Sequence, residues 1–525
     1  MPSPRHGSAF ARLTGATVAI LLATSLTSTA YSAGHSTADP NPRPVAGDGN
    51  GDGSGDGDIS QAQAVEALEA AEQVLSGQGP SGKKLDATMA LIKAKQLAQG
   101  LPILERFRAK KLLARPTDRS NSADLLTYPA NSKVLKTCTA DFCVHWVASG
   151  PNAPAAKDTN GNDVPDYVDT VVETVRRSWN HEVDDFGYRA PLRDGKRGGN
   201  AKLDVYIGDL GTTGVFGYAN TDAFSRNAAP GYLVLDNNYT EYDGDASALL
   251  KATVSHEFFH LVQFAYTTNE DAWFMEATAS WMEEQVYDGA NDNRRYLSYG
   301  TMGRPARSLD HPQAKYGNWV FFENVSEALG PKVIRRMWEH AAGRAYSIQA
   351  MQAALRERGT KLQRRFSRFA ADNLVPRLSY DEGAAYPVAR TTRTWKLRPR
   401  KRATGLRTAR VNHLSSRNFA FRRPARLGRK WRLQVQVKGL PRLVRPTVLV
   451  HLKNGKVRRK AIKIGRRKQN SVRVDFGGPH VRKVTLSLAN TSLRYRCHNG
   501  GLFSCGGSSK DDRAVFRFRA VARRL

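Results

Sequence analysis

The chain has 525 residues, with 80 Lys and Arg against 48 Asp and Glu and a net charge of +32, too long for one hydrophobic core, so two or three domains are expected. The charge is uneven: from Thr391 to Leu525, 38 basic residues meet three acids, whereas the preceding 390 residues hold 42 basic and 45 acidic ones. Beyond the amino terminus no stretch approaches the 18 or so apolar residues of a spanning helix, which argues against a transmembrane segment.

At the start, Arg5 and Arg12 precede the apolar stretch Ala16 to Leu26, and Ser28-Thr29-Ala30 or Tyr31-Ser32-Ala33 offers a cleavage site. Residues 1–33 therefore read as a secretory signal peptide, and residues 34–58 as a Gly/Asp/Pro-rich linker too polar to fold alone. Residues 59–125 read as a helical N-terminal segment, with helical periodicity from Ile59 to Arg115 in two Ala-rich segments, 60–76 and 84–113. They read either as a pro-region, with Arg108 to Arg115 as a protease-accessible stretch, or as a structural helical pair.

Residues 126–390 carry the chemistry. Cys138 and Cys143 stand five apart, and far downstream Cys497 and Cys505 enclose a Gly-rich loop. In an exported chain, pairing 138 with 143 and 497 with 505 is the economical choice of three connectivities. A Cys-ligated zinc site is the rival, at spacings unlike the usual short knuckles. Asp158, Asn160 and Asn162 then occupy loop positions one, three and five, Val164 position seven with its carbonyl, and Asp169 position twelve. That pattern predicts a calcium loop leading into a helix over Val171 to Trp179, with an Asx-rich helix-capping turn as the alternative. Two departures are plain: Asp163 replaces the glycine of position six, and Asp169 is shorter than Glu. Leu203 to Ile207 and Tyr232 to Leu235 read as strands.

The decisive motif is His256-Glu257-Phe258-Phe259-His260. Residues four apart share a helix face, so both imidazoles can aim at one zinc ion while Glu257 lands beside the open position, placed to take a proton from a metal-bound water. Leu250, Val254, Leu261 and Ala265 recur at helical spacing around it, with Asp245 or Ser247 as the cap. The alternative is a pair of core histidines bonded to backbone carbonyls. A second helix, Asp271 to Glu284, sets Glu276 among small and apolar neighbours, where a carboxylate needs a partner; it is the candidate third ligand, with Glu270, Asp271 and His311 as rivals. Glu283 and Glu284 read as solvated. Tyr316, His311 or Tyr266 could donate to a developing oxyanion. Further helices are expected at Trp319 to Leu329, Lys332 to Ala342, Ser347 to Arg358 and Lys361 to Asn373, so this unit is α+β.

The stretches HEFFHLVQFAY and DAWFMEATASWMEE resemble the gluzincin clan, in which two His of one helix and a Glu of the next bind zinc. More narrowly, with FCVHWVASGPNAP, DTNGNDVPDYVD, KLDVYIGDLG, YLVLDNN and YGNWVFFENVSE, the region from Phe142 to Asn373 is similar to a family of secreted metalloproteases of actinobacteria and myxobacteria. The resemblance implies His256, His260 and Glu276 as zinc ligands, Glu257 as the base, and an edge strand along the cleft. The interval of 15 residues between His260 and Glu276 is shorter than in thermolysin-like enzymes, so their other catalytic residues do not transfer. It names a chemistry rather than a substrate.

Over residues 391–525 the period changes to alternation, as in Trp431 to Val437, Val448 to Leu452, Val472 to Val474, Val484 to Leu488 and Phe516 to Arg519, which predicts an antiparallel β-sandwich. Its outward positions are rich in Lys and Arg. That face suits polyanions such as cell-wall polymers, against the plainer reading of a solvated basic surface; no sequence-specific nucleic-acid motif occurs. The combined reading is a secreted zinc-dependent endopeptidase acting on protein or peptide substrates. It would have zinc and a calcium loop as cofactors and an extracellular location, free or associated with the cell wall. The alternative is a non-catalytic secreted adhesin or polyanion-binding protein with a structural zinc site.

Overall fold

Ser60 caps the first helix, α1 (Gln61–Leu75), by accepting from the Gln63 N–H. The computed structural model describes residues 60–77, 87–118, 126–221, 228–424, 427–440, 443–465 and 469–525; the expected signal peptide and linker lie outside them. What the periodicity predicts as one segment to residue 113 is two helices, α2 (Ala87–Leu97) and α3 (Ile103–Leu112). Pro102 separates them and stands as the N-cap of α3, since a proline inside a helix supplies no N–H to the preceding turn. Arg115, at the end of the stretch expected to be protease-accessible, is instead 1% exposed and paired with Asp194 and Asp204, each at 2.5 Å. Buried charges need partners, and these two acids supply them.

Strands β1 (Val134–Cys138) and β2 (Phe142–Val147) form a hairpin; α4 (Asp166–Trp179), β3 (Leu203–Gly208), β4 (Gly217–Thr221) and β5 (Gly231–Asp236) follow. The sheet order is β1-β2-β3-β5-β4, with β2, β3 and β5 parallel and β1 and β4 antiparallel at the edges. Every residue of β2, β3 and β5 is buried, as parallel strands covered on both faces require. Against this sheet lies α5 (Ala246–Phe264), and α6 (Ala272–Val286) packs on α5, followed by α7 (Trp319–Leu329), α8 (Lys332–Ala342), α9 (Ser347–Glu357) and α10 (Leu362–Asp372). The unit is α+β, as expected.

The strands β6 (Arg393–Lys396), β7 (Arg407–Val411), β8 (Ser415–Arg422), β9 (Trp431–Lys438), β10 (Val444–Leu452), β11 (Val457–Ala461), β12 (Gln469–Asp475), β13 (Val481–Asn490), β14 (Tyr495–Arg496), β15 (Ser508–Ser509) and β16 (Ala514–Arg524) complete the chain. They build a five-stranded sheet, β11-β10-β13-β8-β6, and a four-stranded one, β12-β9-β16-β7, with β14 and β15 as a small separate ribbon. Alternation decides which side faces in: Phe516 and Phe518 of β16 are buried in the core the two sheets share, while Arg517 and Arg519 are exposed.

Both expected disulfides are present, Cys138–Cys143 and Cys497–Cys505, with S–S distances of 2.12 and 2.00 Å. Asp58–Leu525 cluster as one compact unit, and the reason is visible at the second disulfide. Cys505 N–H donates to Asp271 at 2.7 Å, and Trp273 Nε1 donates to Ser504 Oγ at 3.0 Å, so the hairpin of the β-rich part seats on the start of α6. His413 sits beside it, unexposed between Asp310 (2.9 Å) and Asp512 (3.0 Å). Among the described residues no helix is long and apolar enough to cross a membrane.

Candidate functional site

Helix α5 begins where Asp245 accepts from the Ala248 N–H at 2.8 Å. From Leu249 onward all but one of its residues are buried, the exception being the half-buried Lys251. A helix enclosed on every side carries its polar residues into the interior, where each must find a partner. His256, Glu257 and His260 are 1%, 4% and 0% exposed, and one ligand-type atom of each lies within 4.8 Å of the others.

The third candidate comes from α6. Glu276, wholly buried, sets Oε2 3.3 Å from His256 Nε2 and Oε1 3.5 Å from His260 Nε2. The other nitrogen of each ring is taken: His256 Nδ1 meets Glu283 Oε1 at 2.7 Å and His260 Nδ1 meets Gln263 Oε1 at 2.8 Å. Since both partners are acceptors, the Nδ1 atoms carry the protons. Burial lowers the pKa of His260, so its Nε2 is a lone pair aimed at a carboxylate. His260 Nε2 is buried without a hydrogen-bond partner, while the Tyr316 hydroxyl hydrogen-bonds to the Glu276 carboxylate.

The rival ligands are elsewhere. Glu270 accepts from Ser347 N–H, Asp271 from Cys505 N–H, and His311 Nδ1 from Gln313 N–H. Of the candidate oxyanion donors, Tyr266 accepts from Arg189 N–H at 3.1 Å, whereas the Tyr316 ring lies 5.9 Å from that of His256. Burial, and after it the Glu276 charge, raises the Tyr316 phenol well above its ordinary pKa, which keeps its proton on the oxygen. Glu257 Oε2 accepts from Thr88 Oγ1 at 2.7 Å and from Ala219 N–H at 3.1 Å.

Glu283 and Glu284 are not solvated as expected: they are 3% and 6% exposed. Glu283 holds His256, and Glu284 accepts from Asn293 Nδ2 at 2.7 Å. Sequence reasoning missed Glu283 and Gln263 as partners of the two histidines. The signal was available, because Gln263 is one turn from His260 and Glu283 is two turns from Glu276 on the same face. Nothing in the sequence points from Thr88 to Glu257.

In the calcium-type loop, Asp158 accepts from the N–H groups of Gly161, Asn162 and Asp163, and Asp169 Oδ2 from the amides of Asn160 and Asn162 at 2.9 and 3.1 Å. Asp163 adopts φ +63°, the left-handed turn the usual glycine provides. The side chains of Asn160, Asn162 and Asp169 thus converge, while Val164 is seen donating its N–H to Asn162 at 2.9 Å.

Residues 106–393, more than half of the chain and including His256, Glu257, His260 and Glu276, match a family described as being of unknown function, DUF6055. The chain belongs to that family. Its description assigns no activity. No curated protein matches the chain. Among solved structures, the insecticidal delta-endotoxin Cry8Ea1 of Bacillus thuringiensis is similar over 21% of this chain and 18% of its own, at 10% identity and a TM-score of 0.13, a likeness that carries no argument.

Proposed function

We propose that this DUF6055 chain is an exported zinc-dependent endopeptidase of gluzincin type, with His256, His260 and Glu276 as metal ligands and Glu257 as the proton carrier. One observation supports it above the others. The acceptor nitrogens His256 Nε2 and His260 Nε2 close on the Glu276 carboxylate at 3.3 and 3.5 Å in the buried interior, with each Nδ1 already bonded elsewhere. Two acceptors in that relation cost several kcal/mol unless a cation lies between them. Two imidazole nitrogens and one carboxylate oxygen are the donor set of a hydrolytic zinc site.

Zinc held there supplies a Lewis acid for a scissile carbonyl and for water. The remaining work falls to side chains. Glu257, beside the ligands but bonded to neither histidine, accepts a proton from the attacking water and returns it to the leaving amine. Tyr316 keeps its proton and can donate it to the developing oxyanion. Strand β4 ends the sheet, and its outward Ala219 N–H turns toward Glu257 rather than toward β5, so an extended peptide pairing with that edge would lie across the carboxylate. In the same reading the loop at Asp158 binds calcium, and the exposed Lys and Arg of the β-sandwich hold the enzyme to polyanions such as cell-wall polymers.

The test is a metal analysis paired with a peptide-library digest. Wild type should hold about one zinc per chain; Glu257→Gln, which keeps shape but cannot act as a base, should retain zinc and lose about two orders of magnitude in hydrolysis. Equal hydrolysis by the two proteins, or none over a broad library by zinc-loaded wild type whose helical N-terminal segment has been cleaved off, would remove the peptidase reading and leave a polyanion-binding protein with a structural metal.

A further inference from the structure

The geometry points to a second use of the β4 edge: it is the docking surface of a helix of this same chain, α2, which holds the peptidase latent. This inference rests on the proposed role of Glu257. Thr88, in the first turn of α2 and 3% exposed, donates its hydroxyl to Glu257 Oε2 at 2.7 Å. The Ala219 N–H of β4 reaches both Thr88 Oγ1 (3.0 Å) and Glu257 Oε2 (3.1 Å), so helix, edge strand and carboxylate close into one ring of hydrogen bonds.

The rest of α2 is built to stay there. Ala87 and Leu91 pack with Tyr218 and Val234 of the sheet, Ile92 joins the main core, and Gln96 Nε2 donates to Thr268 O at 3.1 Å just beyond the end of α5. A helix laid over an edge strand removes that edge from pairing with any other chain. The oxygen that has to take a proton from water is meanwhile occupied by two hydrogen bonds, from Thr88 and from the Ala219 N–H.

A second observation is independent of this geometry. The family match begins at residue 106 and includes β4, His256, Glu257, His260 and Glu276, but not α2. The group that occupies Glu257 is therefore supplied by a segment outside the unit the family shares. Arg106, Arg108 and Lys110 of α3 are exposed between α2 and the buried anchor Arg115, where a cut would free α2 and leave the anchor in place.

The experiment uses the zinc-loaded full chain and two probes, a short peptide hydroxamate for access to the site and a quenched peptide for hydrolysis. Thr88→Ala removes the hydroxyl alone; Leu91→Asp sets a charge at a fully buried contact of α2. Latency predicts that both substitutions raise hydroxamate affinity about tenfold or more, and hydrolysis with it, while circular dichroism shows a folded chain. Should Leu91→Asp fail to fold, Thr88→Ala decides alone. Affinity within twofold of wild type, or lower, in the folded variants overturns the inference and makes α2 a structural part of the enzyme. Tighter hydroxamate binding with no hydrolysis in any variant upholds the plug and removes the peptidase reading instead. Absence of both binding and hydrolysis in every variant removes both.

Discussion

Replacing Glu283 by Ala tests the site without relying on turnover. The Glu283 carboxylate accepts from His256 Nδ1 at 2.7 Å, and the two side chains are 3% and 2% exposed, so bulk water does not compete for the bond in the folded chain. Partners of this kind fix the ring tautomer and make the other nitrogen more basic, and their loss typically costs 10–100-fold in metal affinity, about 1.4–2.8 kcal/mol. The bond is charge-assisted, whereas that from His260 Nδ1 to Gln263 Oε1 at 2.8 Å has a neutral acceptor and should be worth roughly half as much. Glu283→Ala is therefore expected near the upper end of that range, Gln263→Ala near the lower, and Glu283→Gln between them because it keeps an acceptor. Zinc dissociation constants from chelator competition on the folded proteins give the order directly. A Glu283→Ala constant within twofold of wild type, or a larger loss for Gln263→Ala, would refute the assignment of these residues to the imidazoles.

Three further outcomes are expected. Burial raises the carboxyl pKa of the wholly buried Glu182 well above its ordinary value, so folding is penalised only above about pH 4.5, by up to about 1.4 kcal/mol per pH unit. Glu182→Gln should thus stabilise the chain at pH 7 in urea unfolding, with the gain vanishing toward pH 4.5; a gain independent of pH would show that the carboxyl is not the cause. For His413, burial lowers the pKa but the Asp310 charge and the bonds to Asp310 and Asp512 outweigh it and push it up to about 9. Its contribution is then complete below about pH 6.5 and lost as pH rises through about 9, worth up to about 3 kcal/mol, and His413→Gln should flatten that part of the stability profile. Calcium should raise the wild-type Tm, and Asp158→Ala should abolish the shift without changing zinc content; a calcium-independent melting curve would reduce the loop to a helix-capping turn.

Elements with one strong period were legible. Helices α7 and α8 have the predicted ends, α9 and α10 differ by a residue at one or both ends, and the alternating strands of the β-sandwich lie where expected. Strand β4, Gly-Tyr-Ala-Asn-Thr, was not, because Gly and Asn are poor strand formers and only its place at the sheet edge beside α5 makes it one. The hairpin β1–β2 was also missed; β2 is buried throughout and so shows no alternation, while β1 shows it only weakly.

At the site, what was legible followed from spacing within one helix, and what was not depended on which helix lay against it. His256, Glu257 and His260 are related by the α-helical repeat alone. Glu283 and Glu284 looked solvated because two adjacent acids near a helix end normally are; that expectation assumes a wet face. Helix α6 has none at these positions, being enclosed by α5, α7 and the turn at Asn293, so each acid was matched to a donor, His256 for one and Asn293 for the other. Arg115 was misjudged for the same reason, since its basic neighbours suggest a surface and its partners Asp194 and Asp204 lie 79 and 89 residues away. Helical spacing could place Glu283 on the face of Glu276, but it could not identify Asp194 and Asp204; the fold brought those to Arg115. Thr88 and Glu257, 169 residues apart, meet in the same way.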